Sequence, residues 1–218
     1  MTHDKSVPAW KERAQNALRS AILDAARTTF AEHGYAGATV DEIATRAEVG
    51  KGTIYNYFEG GKAGLFVAVL SDHFDDLHAL AQHRMESPGP LRERFHAFAA
   101  DMIVYFDTHQ DLLRVHLREV PQLLAASGDR TQTENLKGRR DRVIETLVPP
   151  IERAIAEGEL RPIPALLTAQ IAFGLLVATV IRTVEVCPGT VRIDSKEAAD
   201  YLAAFLFDGI EARVGTQG

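Results

Sequence analysis

Between Lys51 and Tyr57 the chain reads KGTIYNY, and five of these seven side chains carry a polar end. A lysine, a threonine, an asparagine and two tyrosines crowded into about two helical turns supply hydrogen-bond donors and acceptors rather than a nucleophile and its base. Groups of this kind meet phosphate oxygens and base edges. Lys51 suits a guanine edge or a phosphate. Thr53, Tyr55, Asn56 and Tyr57 suit phosphates or base edges, and a tyrosine ring also meets a thymine methyl. Gly52 removes a side chain where a backbone must approach closely. Lys62 adds a positive charge to the start of the next helix, an end that already favours phosphate. On spacing alone, the run YNYF fits equally well as three rings packed in a core.

The elements around these residues favour the outward reading. Thr39-x-x-Glu42 is a capping box, in which hydroxyl and carboxylate each meet an orphan amide. It predicts a helix of about two turns from Val40 to Ala47, with Ile43, Ala44 and Ala47 buried. The turn 48-EVGKG-52 follows, Val49 plugging the corner. A helix from Lys51 to Phe58 then places Ile54 and Phe58, four apart, inward. Lys51, Thr53, Tyr55 and Asn56 are left outward and Tyr57 lies at the edge. Two short helices about a tight turn describe a helix-turn-helix.

Helical spacing recurs along the rest of the chain and no strand pattern persists. Residues 13–33 carry Leu18, Ile22, Ala25 and Phe30 on one side, with Gly34 as the stop. A long helix over 62–84 has Leu65, Phe66, Val69, Leu70, Phe74 and Leu77 as its stripe, and 87-SPGP-90 breaks the chain. Helices are expected over 91–109, 110–126 and 133–157, the last bending at Pro149-Pro150, with 127–132 a loop. An apolar helix over 165–186 and a final helix over 196–212 follow. The final helix is capped by Asp194 or Ser195 and turns Tyr201, Leu202, Phe205, Leu206 and Ile210 inward. The class is therefore all-α, of roughly nine helices: an N-terminal three-helix helix-turn-helix domain followed by a larger helical bundle. Expected boundaries are a tail over 1–12, the helix-turn-helix domain over 13–62, the larger domain over 63–213 and a tail over 214–218.

Composition narrows the function classes. One cysteine in 218 residues excludes an internal disulfide framework and points to a reducing, cytoplasmic setting. The N-terminus lacks the apolar core of a secretory signal. The run 165-ALLTAQIAFGLLVATVI-181 contains Thr168, Gln170 and Thr179 and is shorter than a span of about 20 residues, so it reads as a core or interface helix and no membrane partner is expected. Net charge is −6, all of it in residues 65–218; residues 1–64 hold 8 basic and 8 acidic side chains. That balance counts against a strongly basic nucleic-acid-binding domain.

With these pieces in place, residues 18–66 resemble the N-terminal domain of TetR-family transcriptional regulators. The resemblance is carried by FAEHGY (30–35), ATVDEIA (38–44), A-x-V-x-KGTIYNYF (47–58) and K-x-x-LF (62–66). It implies that the helix over 51–57 is a recognition helix, with Lys51, Gly52, Thr53 and Tyr55 near bases. It implies that Asn56, Tyr57 and Lys62 hold phosphates, and that the Thr39 region meets the backbone through its helix start. It further implies a homodimer, a small effector in the larger domain, and a repressor released by that effector. The richly apolar helices over 165–186 and 196–212 suit the dimer interface. A two-fold dimer predicts a palindromic double-stranded DNA operator, and the many apolar side chains of the bundle suit a hydrophobic or amphipathic effector. Glu48 stands where the family usually has glycine, and the link 59-EGGKAG-64 is one residue longer than the commonest form.

No cofactor, metal or catalytic residue is expected. His73, His78 and His83 recur every five residues, drift around the helix and read as a solvated face. His116 with Glu119 lacks further ligands, and Cys187 before Pro188 reads as a silent thiol. Arg182 with Glu185, and Tyr105 with His109, each lie one turn apart and suit pairing or a pocket wall. Lys5, Lys11 and Arg13 read as part of a frayed tail. The rival class is an all-helical enzyme or ligand-binding protein with a purely structural helix-turn-helix; against it, the chain has no Gly-rich phosphate loop, no H-E-x-x-H and no G-x-S-x-G.

Overall fold

Helix starts and stops in the computed structural model follow local chemistry. The structure describes residues 8–111, 113, 115, 117, 130–183 and 194–210, and every regular element among them is a helix. These helices are α1 (Ala9–Gly37), α2 (Val40–Arg46), α3 (Lys51–Tyr57), α4 (Lys62–Met85), α5 (Leu91–Thr108), α6 (Arg130–Glu145), α7 (Val148–Ala156), α8 (Ala165–Thr183) and α9 (Ser195–Ile210). The chain divides into two compact units. The first holds α1 to α3 and α4 as far as Leu70; the second holds α4 from Ser71 with α5 to α9.

In the first unit, α1 begins at Ala9, a turn before the expected Arg13. Pro8 precedes it as N-cap, and its carbonyl accepts from the amides of Lys11 at 2.8 Å and Glu12 at 3.2 Å. Gly34 breaks the helix with φ 70°. Ile22, Ala25, Ala26 and Phe30 are buried, with Leu18 half-buried. Phe30 meets Phe66 edge-on at 5.3 Å and Tyr35 lies 4.9 Å from Phe66, so the start of α4 is packed against the end of α1. The helix α2 ends in a Schellman motif: the Glu48 amide bonds the Thr45 carbonyl at 3.2 Å and the Val49 amide bonds Ala44 at 2.9 Å. Glu48 sits at φ 55°, the left-handed conformation in which a side chain costs on the order of 1 kcal/mol.

In the second unit, the expected helix over 133–157 is two helices. Pro149 and Pro150 have no amide to donate to the preceding turn, so α6 stops at Glu145. The prolines then fall in the first turns of α7, where their missing donors leave nothing unsatisfied. Helix begins at Arg130, inside the expected loop over 127–132. Asp194 caps α9 by accepting from the amides of Lys196 at 2.9 Å and Glu197 at 3.2 Å.

Two expectations are corrected here. His73 is 1% exposed, not on a solvated face. It lies three residues after Leu70 and four before Leu77 and so shares the buried stripe of α4, where its ring packs on Phe74, Tyr105 and Phe106. His78 is half-buried and bonded to Thr146; only His83 of the three is exposed. Tyr201 and Phe205 are 68% and 73% exposed, not inward; α9 buries Ala198, Ala199, Leu202, Ala203, Leu206 and Phe207 instead. The side chain of Ile210 lies outside the described residues, as do Lys5, His116, Glu119, Glu185, Cys187, Pro188, the loop positions 127–129 and the tail 214–218.

The helix α8 buries Ala169, Ala172, Phe173, Leu176 and Val180, while Leu166, Leu167 and Ile171 on its other side are about half exposed. By length and composition it is apolar enough to cross a membrane. Tyr105 donates to Asp76 at 3.1 Å and lies 3.3 Å from His73 Nδ1, and the His109 ring lies tilted beside it at 4.5 Å, so these residues form one polar cluster in the second unit.

Candidate nucleic-acid interface

Ile54 is 0% exposed and Phe58 5%, and together they seat α3 on the first unit. With that face fixed, the 100° step of an α-helix turns the neighbouring positions outward. Lys51, Gly52, Tyr55 and Asn56 are exposed, while Thr53 and Tyr57 are half-buried at the margins. A Cβ placed on Gly52 would meet nothing within 4 Å, so this position is an open stretch of backbone on the outer surface. The ring of Tyr55 lies over Gly61, whose φ is 58°; a Cβ there would come within 2.7 Å of Cε1. Glycine at 61 therefore lets the link backbone pass under the ring, which holds Tyr55 in place while leaving it 52% exposed.

At Thr39 the capping box is complete. The hydroxyl accepts from the Glu42 amide at 3.2 Å, and Glu42 Oε2 accepts from the Thr39 amide and hydroxyl, each at 2.9 Å. The hydrogen bonds from the Thr39 hydroxyl and amide hold the Glu42 carboxyl below the usual carboxylate range. A lowered carboxyl adds stability above its unfolded pKa, and that stability is lost as pH falls through the lowered folded value. The first unit is therefore expected to weaken on acidification in part through Glu42, and Glu42→Gln should flatten the fall. Urea unfolding from neutral pH down through the carboxylate range measures this; identical slopes in both proteins would contradict it.

Part of the acidic charge of residues 1–64 is taken up by pairing. Arg46 grips Glu32 with both nitrogens, at 3.2 and 2.5 Å, and Asp41 takes a 2.9 Å bond from Lys51. The bond to Asp41, with the charge of that carboxylate, holds the Lys51 ammonium above its ordinary pKa. With Glu42 in the capping box, Glu32, Asp41 and Glu42 are each paired or engaged. Lys51 remains on the surface, in an exposed pair that solvent screens.

Lys62 is engaged within the first unit. Its ammonium donates to the carbonyls of Tyr35 at 2.9 Å and Ala38 at 3.1 Å, with Ala36 at 3.4 Å, and sits 4.7 Å over the Tyr35 ring. It ties the start of α4 to the chain leaving α1. Sequence reading missed Tyr35 and Ala38 as its partners. The aromatic residue directly after the Gly34 stop was the available signal.

Comparison with known proteins decides the family. Residues 22–69 match the family model "Bacterial regulatory proteins, tetR family". The chain is 32% identical over 148 residues to the HTH-type transcriptional repressor DhaR of Mycobacterium sp. (strain GP1), covering 67% of this chain and 69% of that protein. The chain belongs to the TetR family. This TetR-family protein is a helix-turn-helix, DNA-binding transcriptional regulator. It is also 27% identical over 191 residues to the HTH-type transcriptional regulator YhgD of Bacillus subtilis (strain 168), covering 88% of this chain and 95% of that one. The fold is shared with the transcriptional regulator FadR from Bacillus subtilis, solved in complex with stearoyl-CoA, at a TM-score of 0.75 and 20% identity over 88% of this chain and 98% of that chain.

Proposed function

We propose that this regulator is a cytoplasmic repressor that binds a palindromic operator as a homodimer and leaves it when a small effector occupies the second unit. The observation that carries the DNA reading is the outer face of α3. Lys51, Gly52, Tyr55 and Asn56 are exposed on a helix whose inner face is fixed by Ile54 and Phe58. In this reading Lys51, Gly52, Thr53 and Tyr55 approach base edges, and Asn56 and Tyr57 hold phosphates. The amide-rich start of α2 at Thr39 meets the backbone. Lys62 acts one step back, by holding α4 where the recognition helix needs it.

The dimer is supported by the apolar side chains left outside on the last two helices. Leu166, Leu167 and Ile171 of α8 and Tyr201 and Phe205 of α9 are each more than half exposed. Two such helices from each of two chains suit a four-helix interface. Two copies of α3 would then meet successive half-sites of one operator. Repression is supported by likeness to DhaR, itself a repressor. For the effector, a small cavity of the second unit is lined by Met85, Leu91, Phe95, Leu147, Ile151 and Phe207 among others, and its exposed lining is apolar. That lining suits an apolar or amphipathic molecule, in keeping with the stearoyl-CoA held by the FadR of shared fold. The effector must favour the DNA-free arrangement, or nothing shifts.

The test is the double variant Lys51→Ala, Asn56→Ala. Both side chains are exposed, so the urea midpoint should stay close to the parent value. The Lys51 base contact, worth about 1–3 kcal/mol, is lost twice in a dimer together with the Asn56 phosphate contact, so operator affinity should fall about 100-fold or more. Unchanged affinity would remove α3 as the reading element.

A further inference from the structure

We propose that Asp41 is a specificity-determining residue of the DNA interface, and that it and Lys51 together recognise one G·C base pair of each half-site in the major groove. The inference rests on the DNA-binding reading of α3 and adds to it a residue of α2.

The Lys51 ammonium lies 2.9 Å from Asp41 Oδ2, and both side chains are exposed. Lys51 shares the outer face of α3 with Tyr55, one turn on, so the pair continues the surface that α3 turns outward. Asp41 stands in the first turn of α2, on a frame held in two ways. The Thr39–Glu42 capping box closes that turn, and the Thr45 hydroxyl donates to the Asp41 carbonyl at 2.9 Å. The carboxylate is thus carried on ordered backbone, and the ammonium of Lys51, on its flexible stem, is drawn to it. Bonded to Asp41, the ammonium keeps two of its three donors for another group.

This pair of charges suits a base edge better than a phosphate. A phosphate reached by Lys51 would also lie close to the Asp41 carboxylate, and the two anions would repel. A base pair carries no net charge, and its amino group donates to a carboxylate. In a G·C pair the guanine N7 and O6 acceptors and the cytosine N4 amino group follow one another across the major groove. O6 and N4 are the two ends of one hydrogen bond and so lie about 2.9 Å apart. Lys51 Nζ and Asp41 Oδ2 have the same spacing with donor and acceptor reversed. The two ammonium donors then meet N7 and O6, and the carboxylate meets N4. In a T·A pair the same ammonium would face the thymine methyl, and the carboxylate would lie near the adenine N7 acceptor.

Selection from a random duplex pool with the full-length parent, Asp41→Ala and Lys51→Ala tests this, followed by affinities on the selected operator and on a duplex with the G·C pair exchanged. The proposal expects a G·C pair at one position of each half-site. It expects both variants to lose the preference at that same position while keeping it elsewhere. Parent discrimination there should be about tenfold or more per half-site, and largely absent in Asp41→Ala. Asp41→Ala should bind duplex of unrelated sequence at least as tightly as the parent, because an acid has been removed. Asp41→Asn, which keeps the shape and loses the charge, gives the same comparison if alanine disturbs α2. An Asp41→Ala motif identical to the parent's would overturn the proposal while leaving α3 as the reading element. A loss of affinity equal on every duplex, the mark of a merely structural carboxylate, would also overturn it. So would a parent with no G·C preference at the position that Lys51→Ala relaxes. A folded parent that enriches no motif at all would overturn both this proposal and the reading of α3.

Discussion

Gly64→Ala is expected to unfold the first unit at a much lower denaturant concentration than the parent protein. A Cβ built on Gly64 would lie 1.9 Å from the Glu59 carbonyl oxygen and 3.0 Å from its carbon. Both atoms are backbone, so no rotamer change relieves the contact, and the link 59–64 or the first turn of α4 must move. Overpacking costs about 1–3 kcal/mol where side chains can give. With only backbone to yield, a loss of about 3 kcal/mol or more is expected. The link sets α4 against α3, so DNA binding should fall with stability. Gly138→Ala is the control: it lies in α6 with nothing within 4 Å of the added Cβ, and alanine there should be neutral or stabilising by up to about 1 kcal/mol. Urea unfolding of the three proteins measures the difference. A Gly64→Ala midpoint equal to the parent would show that the link does not have this geometry.

Lys62→Met separates a clamp from a phosphate ligand. Methionine keeps the apolar stem and removes the ammonium, leaving the carbonyls of Tyr35 and Ala38 without their charged donor. Hydrogen bonds to a charged group contribute about 1.5–3 kcal/mol, so a destabilisation of about 2 kcal/mol is expected, with the salt slope of DNA binding unchanged. A lysine that held phosphate would give the opposite pair of results: unchanged unfolding and a shallower salt slope. Thermal unfolding and salt titration of the one variant decide between them.

What the sequence made legible was short-range. The Thr39–Glu42 box is a three-residue pattern, and it forms as written. Ile54 and Phe58 are four apart on one helix and are both buried, which orients Lys51, Tyr55 and Asn56 without knowledge of the rest of the chain. The anomaly at Glu48 was visible only through the resemblance, which places a glycine there; the structure gives the residue its left-handed φ of 55°.

What was missed depends on partners distant in sequence. The carbonyls that engage Lys62 lie 24 to 27 residues earlier, beyond any local pattern. His73 follows the stripe of α4 in spacing, yet its burial depends on Tyr105 and Phe106 arriving from α5. The final helix is apolar over most of its circumference, so periodicity could not choose which side faces its own chain. The structure turns Leu202 and Leu206 inward and leaves Tyr201 and Phe205 outside. At Pro149 and Pro150 the sequence located the disruption, but its form depended on whether the prolines fell in a helix interior or in a first turn.

The central claim is that the outer face of α3 reads DNA. Selection from a random duplex pool at moderate salt tests it most directly, run in parallel with the parent and with Lys51→Ala, Asn56→Ala. The parent should enrich a two-fold symmetric motif, and the double variant, still folded, should enrich none or a different one. A folded parent that enriches no motif, or a variant that enriches the same motif to the same degree, would contradict the account.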